Sequence, residues 1–137
     1  MRILAVISGL ALLVGVAVHA AEKPPAAFQQ AMKDSGAALQ KIGKDVEAKD
    51  YDAVAAGAAA LKAVFMGPVG KHFTDAKMDE ALEKCKAAYA AADALEKAAK
   101  SKNETAVADA RKGMAATCAG CHAAHRERLA DGTFEIK

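Results

Sequence analysis

Residues 103–129 read NETAVADARKGMAATCAGCHAAHRERL, and this stretch carries the signals from which the rest of the chain can be interpreted. Residues suited to a buried face recur every three or four positions, which is typical of an amphipathic helix. They are Val107, Ala110, Met114, Cys118, Cys121, His122 and Leu129. Asn103 is a suitable N-cap, and Glu104 lies near the positive end of the helix. The pattern therefore predicts one helix that begins after Asn103 and ends at Leu129.

Within this helix, Cys118-Ala119-Gly120-Cys121-His122 has the spacing that attaches a c-type haem covalently. The two thiols can add across the two vinyl groups of one porphyrin, and His122 is then placed to ligate the iron. Positions i, i+3 and i+4 project from one helix face, so the three side chains point the same way. A disulfide between successive turns of one helix has poor torsion geometry. Zinc would need further ligands, and the chain has no second cysteine pair. The motif predicts a single haem c with thioether links through Cys118 and Cys121.

The N-terminus indicates export. Arg2 precedes an apolar run from Ile3 to Val18, and Val18-His19-Ala20 offers small residues at the cleavage positions. We expect residues 1–20 to be a signal peptide that is removed, leaving residues 21–137 as one periplasmic domain. The apolar run is short for a membrane span, so no stable membrane insertion is expected after processing, although an uncleaved anchor is the alternative.

Charge and composition exclude one class of partner. The chain has 19 basic and 17 acidic residues, and Arg2 is the one charged residue within 1–20, so the mature domain is close to neutral. The chain has no large excess of basic residues, so its charge does not indicate nucleic-acid binding.

Two more helical windows lie in the first half of the mature chain. The first follows Pro24-Pro25 and ends at Lys49-Asp50; its inward residues are Phe28, Met32, Ser35, Leu39, Ile42 and Val46. Asp50 is the expected cap of the second, which Gly67-Pro68-Val69-Gly70 should end. Its inward residues are Val54, Ala58, Leu61 and Phe65.

A third window begins from Thr74 as the expected cap and ends at 101–103. Its inward residues are Met78, Leu82, Cys85, Tyr89, Ala92 and Leu95. Asp131-Gly132 predicts a turn, followed by an extended tail. Four amphipathic helices with short connections predict an all-α, antiparallel up-down-up-down four-helix bundle with the haem near the C-terminus of the last helix. Its alanine-rich core buries little apolar area, so we expect the haem-free chain to be marginally stable.

Met32 is the candidate for the sixth iron ligand. In an antiparallel bundle the end of the fourth helix is level with the start of the first. Met32 lies about seven residues into the first helix, at a rise of ~1.5 Å per residue, and so reaches the height of His122. Met66 and Met78 belong to the same end of the bundle and stay open as alternatives. Met114 lies about 12 Å along the helix from His122 and is out of reach.

Three further side chains are candidate accessory groups. His72 is expected in the loop after the second helix, where we interpret it as exposed. The alternative is that it approaches the haem edge. His125 lies one turn beyond His122 and cannot reach the opposite axial position, so we expect it to contact a propionate or solvent. Cys85 is expected to be buried and inert, with a cross-link between two chains as the alternative.

These features resemble the cytochrome c-prime family, the class II c-type cytochromes, which carry the haem motif near the C-terminus of a four-helix bundle. The match is Cys118-Ala119-Gly120-Cys121-His122 followed by Arg126, a basic residue that the family often shows four positions after the proximal histidine. The resemblance implies that Arg126 belongs to the haem site. His125 replaces the aromatic residue that often precedes this arginine.

The resemblance also distinguishes two branches. Phe28-Gln29-Gln30-Ala31-Met32-Lys33 is similar to the low-spin branch, in which a methionine of the first helix ligates the iron. The ending His125-Arg126-Glu127-Arg128-Leu129 with Asp131-Gly132 is similar to the same sub-group. A homodimer through the first two helices is common among such relatives.

The expected function is that of a mono-haem electron carrier, not an enzyme, which passes single electrons between redox protein partners. Lys33, Lys71, Arg126 and Arg128 are expected near the haem edge, where they can orient a partner through a weak, salt-sensitive encounter. The alternative is a five-coordinate cytochrome that binds NO or CO as a sensor or scavenger. Peroxidase-like turnover is disfavoured because the distal side has no His-Arg pair and a bound methionine would block it.

Overall fold

The computed structural model describes residues 23–137, so the signal peptide expected over residues 1–20 lies outside the described part of the chain. Four long helical units pack side by side in chain order, each against the next. The helices are α1 (Ala26–Glu47), α2 (Tyr51–Val64), α3 (Gly70–Asp75), α4 (Asp79–Lys100) and α5 (Glu104–His125), and two short strands follow, β1 (Arg126–Arg128) and β2 (Phe134–Ile136). α2 and α3 form one bent unit. The predicted four-helix bundle is confirmed.

Short turns reverse the chain between the helices, and each contains a lysine in the left-handed backbone region. Lys49, Lys77 and Lys102 have φ of 58°, 55° and 52°. Two predicted caps are confirmed. The carboxylate of Asp50 accepts from the Ala53 amide at 3.0 Å, and the side-chain oxygen of Asn103 accepts from the Ala106 amide at 3.0 Å. Each cap satisfies a backbone donor that has no partner inside its helix.

A kink at Gly67-Pro68 interrupts the second helix. Gly67 has non-helical angles (φ −87°, ψ −113°), and Phe65–Val69 form the bend between α2 and α3. Proline lacks a donor and clashes with the preceding turn, which accounts for the kink. The predicted break is confirmed, but Gly70–Asp75 after it form a helix instead of the expected loop. The kink places Phe65, Val69 and Phe73 on the inside of the bundle.

Thr74 is not a helix cap. It lies in the last turn of α3, and its hydroxyl donates to the Gly70 carbonyl at 2.9 Å. Inside a helix a threonine hydroxyl can hydrogen-bond to the carbonyl four residues earlier. A threonine therefore does not by itself mark the start of a helix. α4 begins after Met78, which makes no side-chain cap.

The last helix ends at His125, earlier than the predicted Leu129. Arg126 is extended (φ −123°, ψ 128°), and β1 pairs antiparallel with β2, with Arg126 opposite Ile136 and Arg128 opposite Phe134. Leu129 therefore lies in the hairpin connection. The Asp131-Gly132 turn is confirmed: Gly132 has φ 82°, and Asp131 Oδ1 accepts from the Thr133 amide at 2.8 Å.

Within the described residues, one helical stretch, Tyr51–Asp75, is long and apolar enough by composition to cross a membrane. It is the bent unit of α2 and α3, which packs against α4. Lys62 on this unit bonds Asp93 Oδ1 at 2.5 Å and Glu96 Oε2 at 3.0 Å, both on α4. A helix in the core of a folded bundle can be as long and as apolar as a membrane-spanning helix, so length and composition do not distinguish the two.

Candidate functional site

A cavity of about 590 Å³ lies at one end of the bundle, between α1, the kink, α4, α5 and the C-terminal hairpin. Its walls are mainly apolar, with side chains that include Phe28, Leu39, Phe65, Val69, Phe73 and Ala88. Cavities of this size and character take small molecules and cofactors. The site predicted from the sequence opens into this cavity.

The α5 wall carries the cysteine and histidine motif. Cys118, Cys121 and His122 all line the cavity, and the two cysteines are free thiols. Burial raises the pKa of both thiols, and Lys84 partly opposes that rise at Cys121. Burial, with a smaller contribution from Arg126, lowers the pKa of His122. A lowered pKa favours the neutral imidazole, which is the form that ligates a metal.

The α1 wall carries Met32, which lines the same cavity and packs against the core. The far end of the bundle shows how the two walls are aligned. Lys49 Nζ, just after α1, lies 3.0 Å from Glu104 Oε2 at the start of α5. The end of α1 is therefore level with the start of α5, and the start of α1 with the end of α5. Met32 and His122 therefore line the same cavity from two different walls.

The other described methionines lie elsewhere. Met66 is 62% exposed and lines a separate surface crevice beside the kink. Met78 packs against the core without lining the cavity, and Met114 is fully buried. Among residues 23–137, Met32 is the one methionine that lines the cavity.

His72 is not the exposed loop residue that we expected. It lies on α3 and is half-buried, with its ring centroid 4.7 Å from that of Phe28 and 5.6 Å from that of Phe73. Because α3 continues the second helix past the kink, His72 is held against the bundle. It packs behind the cavity wall without lining it.

His125 and Cys85 both line the cavity. The His125 side chain is 12% exposed and Nε2 lies 4.0 Å from Glu80 Oε1. That nitrogen is buried and has no hydrogen-bond partner among the residues described. Cys85 is buried as predicted, and its thiol donates to the Phe65 carbonyl at 3.0 Å. Burial, and then Cys121, raises the pKa of Cys85 to about 11, so the thiol is protonated and unreactive at neutral pH.

Basic side chains surround the cavity opening. Lys33 and Arg126 line the cavity as expected, and Lys84 of α4 does so as well. None of the three forms an ion pair with another residue of the described range. Lys71, also expected at this end of the bundle, lines the separate crevice and pairs with Asp75 at 2.7 Å. Lys33, Lys84 and Arg126 are thus three basic side chains on the cavity lining, which also includes the acidic Glu135.

Comparison with solved structures shows a close likeness in fold. A crystal structure of cytochrome c′ from Thermochromatium tepidum matches with a TM-score of 0.60 over 69% of this chain and 87% of that chain, at 20% sequence identity. The chain has the cytochrome c′ fold. No protein-family model and no curated protein matches the sequence. Among residues 23–137, no group of three or more His, Cys, Asp or Glu side chains is arranged to hold a metal ion.

Two parts of the site on this cytochrome c′ fold were not found from the sequence. Lys84 was missed because a single exposed lysine carries no periodic signal. The hairpin residues Gly132, Thr133, Phe134, Glu135 and Ile136 also line the cavity. The sequence predicted an extended tail after Asp131-Gly132, which β2 confirms, and the alternation of Phe134 and Ile136 with polar residues is a strand pattern. It could not have indicated that β2 folds back over the cavity.

Proposed function

We propose that this protein is a periplasmic mono-haem c-type cytochrome that carries single electrons between redox proteins. The observation that carries the proposal is the convergence of Cys118, Cys121, His122 and Met32 on one cavity. Two thiols and an imidazole lie on one wall, and a thioether sulfur lies on another. This is the set of groups that attaches a haem c and ligates its iron on both faces.

The residues present fit the haem. Cys118 and Cys121 would hold it through thioether bonds, and His122 and Met32 would ligate its iron. The apolar walls suit the porphyrin, whereas the carboxylates at its edge require polar partners. The buried His125 Nε2, which has no partner among the described residues, and the cations of the rim meet that requirement. When bound, the haem supplies an iron that changes oxidation state by one electron.

The surrounding residues prepare the site for rapid electron exchange. Burial, and to a lesser degree Arg126, lowers the pKa of His122, which favours the neutral imidazole that would ligate the iron. The thioether of Met32 favours the reduced iron, which raises the reduction potential relative to two nitrogen ligands. With His122 and Met32 both bound, the iron would change oxidation state with little rearrangement of its ligands. The same filled positions leave no site for peroxide, so we propose a carrier, not an enzyme.

We also propose that the partner is a redox protein with an acidic docking face. Lys33, Lys84 and Arg126 surround the cavity opening without ion pairs among the described residues, and long-range attraction speeds encounter between oppositely charged faces. Such an encounter is weak and is screened by salt. The near-neutral mature chain does not favour nucleic acid.

The test is a spectroscopic and redox titration of the exported holoprotein. We expect a low-spin ferric spectrum with a sulfur-to-iron charge-transfer band, reversible one-electron reduction, and no binding of CO to the reduced protein. Both axial positions are then occupied in both oxidation states. A high-spin spectrum with ready CO binding would contradict the carrier and would support the gas-binding alternative.

A further inference from the structure

One arginine, Arg126 at the start of β1, contacts both strand β2 and the end of α5 that carries His122. The guanidinium carbon of Arg126 lies 3.4 Å from the centroid of the Phe134 ring. Arg126 Nη1 also lies 3.5 Å from His122 Nδ1. Arg126 is thus placed between an aromatic ring of β2 and the imidazole proposed to bind the iron.

Phe134 is held in place by the hairpin. It lies directly opposite Arg128 in the two-stranded ladder, and the neighbouring inward residue of β2, Ile136, packs against the core. The Gly132 amide donates to the Leu129 carbonyl at 2.9 Å, and the Lys137 amide donates to the His125 carbonyl at 3.2 Å. The first bond closes the turn between β1 and β2, and the second ties the end of β2 to the end of α5, so the ring has a defined position although it is 38% exposed.

No carboxylate of the described residues pairs with Arg126. Phe134 is therefore the contact that orients its guanidinium. A cation over an aromatic face is attracted to it, and arginine stacks well because its guanidinium is planar. The guanidinium carbon of Arg128 is also above this ring, but at 6.0 Å. The shorter contact belongs to the arginine beside His122.

We infer that Phe134 is a positioning residue for the haem site: it holds the charge of Arg126 against His122 and thereby raises the reduction potential. The inference rests on the proposed function. Oxidised iron carries one more positive charge than reduced iron, so a fixed cation nearby disfavours the oxidised state. Arginine is charged throughout the physiological pH range, so the contribution does not depend on its titration.

The test compares reduction potentials of haem-loaded variants measured by spectroelectrochemistry. Phe134→Leu keeps an apolar side chain but removes the aromatic face. We expect it to lower the ratio of reduced to oxidised protein at a fixed potential by about tenfold, equivalent to ~59 mV for one electron. Phe134→Tyr keeps the face and should retain the wild-type value. Arg128→Gln removes an equal charge farther from the ring and should have a much smaller effect.

A double-variant cycle separates positioning from simple shielding of the haem. If Phe134 acts through Arg126, Phe134→Leu should change nothing further in an Arg126→Gln background. An unchanged potential in Phe134→Leu would overturn the inference, as would an equal fall in both backgrounds. Both results would leave the proposed function intact, since the variants would still hold low-spin haem. A wild-type protein without haem would instead defeat the proposed function and the inference with it.

Discussion

Met32→Ala is expected to leave the haem covalently attached and to convert the iron from six-coordinate to five-coordinate. Met32 is the one methionine of the described residues on the cavity wall, and alanine offers no donor atom. The attachment cysteines lie on α5 and are untouched. We expect the sulfur-to-iron band to disappear and CO binding to rise from none to one molecule per haem. The reduction potential should fall because the thioether no longer favours reduced iron.

Two methionine variants are matched controls for this result. Met66 is exposed beside the separate crevice, and Met78 packs outside the cavity. Met66→Ala and Met78→Ala should therefore keep the wild-type spectrum. If Met32→Ala has a wild-type spectrum while Met66→Ala changes it, the assignment of the sixth ligand is wrong and the bundle still stands.

The double variant Cys118→Ser, Cys121→Ser is expected to lose covalent haem completely. Serine hydroxyls do not form the thioether bonds that hold the porphyrin, and without it the cavity of about 590 Å³ leaves the end of the bundle without a filled core. Because a group bound to the folded state stabilises that state, the free energy of unfolding should fall as well. The measurements are haem staining after denaturing electrophoresis and a urea unfolding curve. His122→Ala should likewise impair assembly of stable holoprotein.

The third cysteine supplies the control. Cys85 lines the same cavity, but its thiol donates to the Phe65 carbonyl, and a serine hydroxyl can donate there too. Cys85→Ser should keep full haem content. Haem that stays bound through denaturation in the double variant, or that is lost in Cys85→Ser, would contradict the roles given to the three cysteines.

Much of the fold could be predicted because its signals are local. Helical periodicity predicted the four long helical units, and the side chains of Asp50 and Asn103 predicted where two of them begin. The haem motif is local as well, since five consecutive residues on one helix fix its geometry. Antiparallel packing of the first and fourth helices, with a constant rise per residue, was enough to predict that Met32 and His122 lie at the same end, and both line one cavity.

The errors arose where tertiary contacts decide the local structure. Gly67-Pro68 has the composition of a turn, yet the chain continues as α3 and the Phe65 carbonyl is satisfied by Cys85 from another helix. Leu129 matches the helical period, but pairing of β1 with β2 ends α5 at His125. Packing of α3 against the bundle likewise buries half of His72. None of these partners can be read from a short window of sequence.

The most direct test of the central claim is haem content after denaturation. The exported protein, made in cells with haem-ligation machinery, would be unfolded, extracted with acidic acetone and assayed as its pyridine haemochrome. The account predicts one haem per chain that stays with the polypeptide. A colourless polypeptide, or a haem that passes entirely into the acetone, would contradict it.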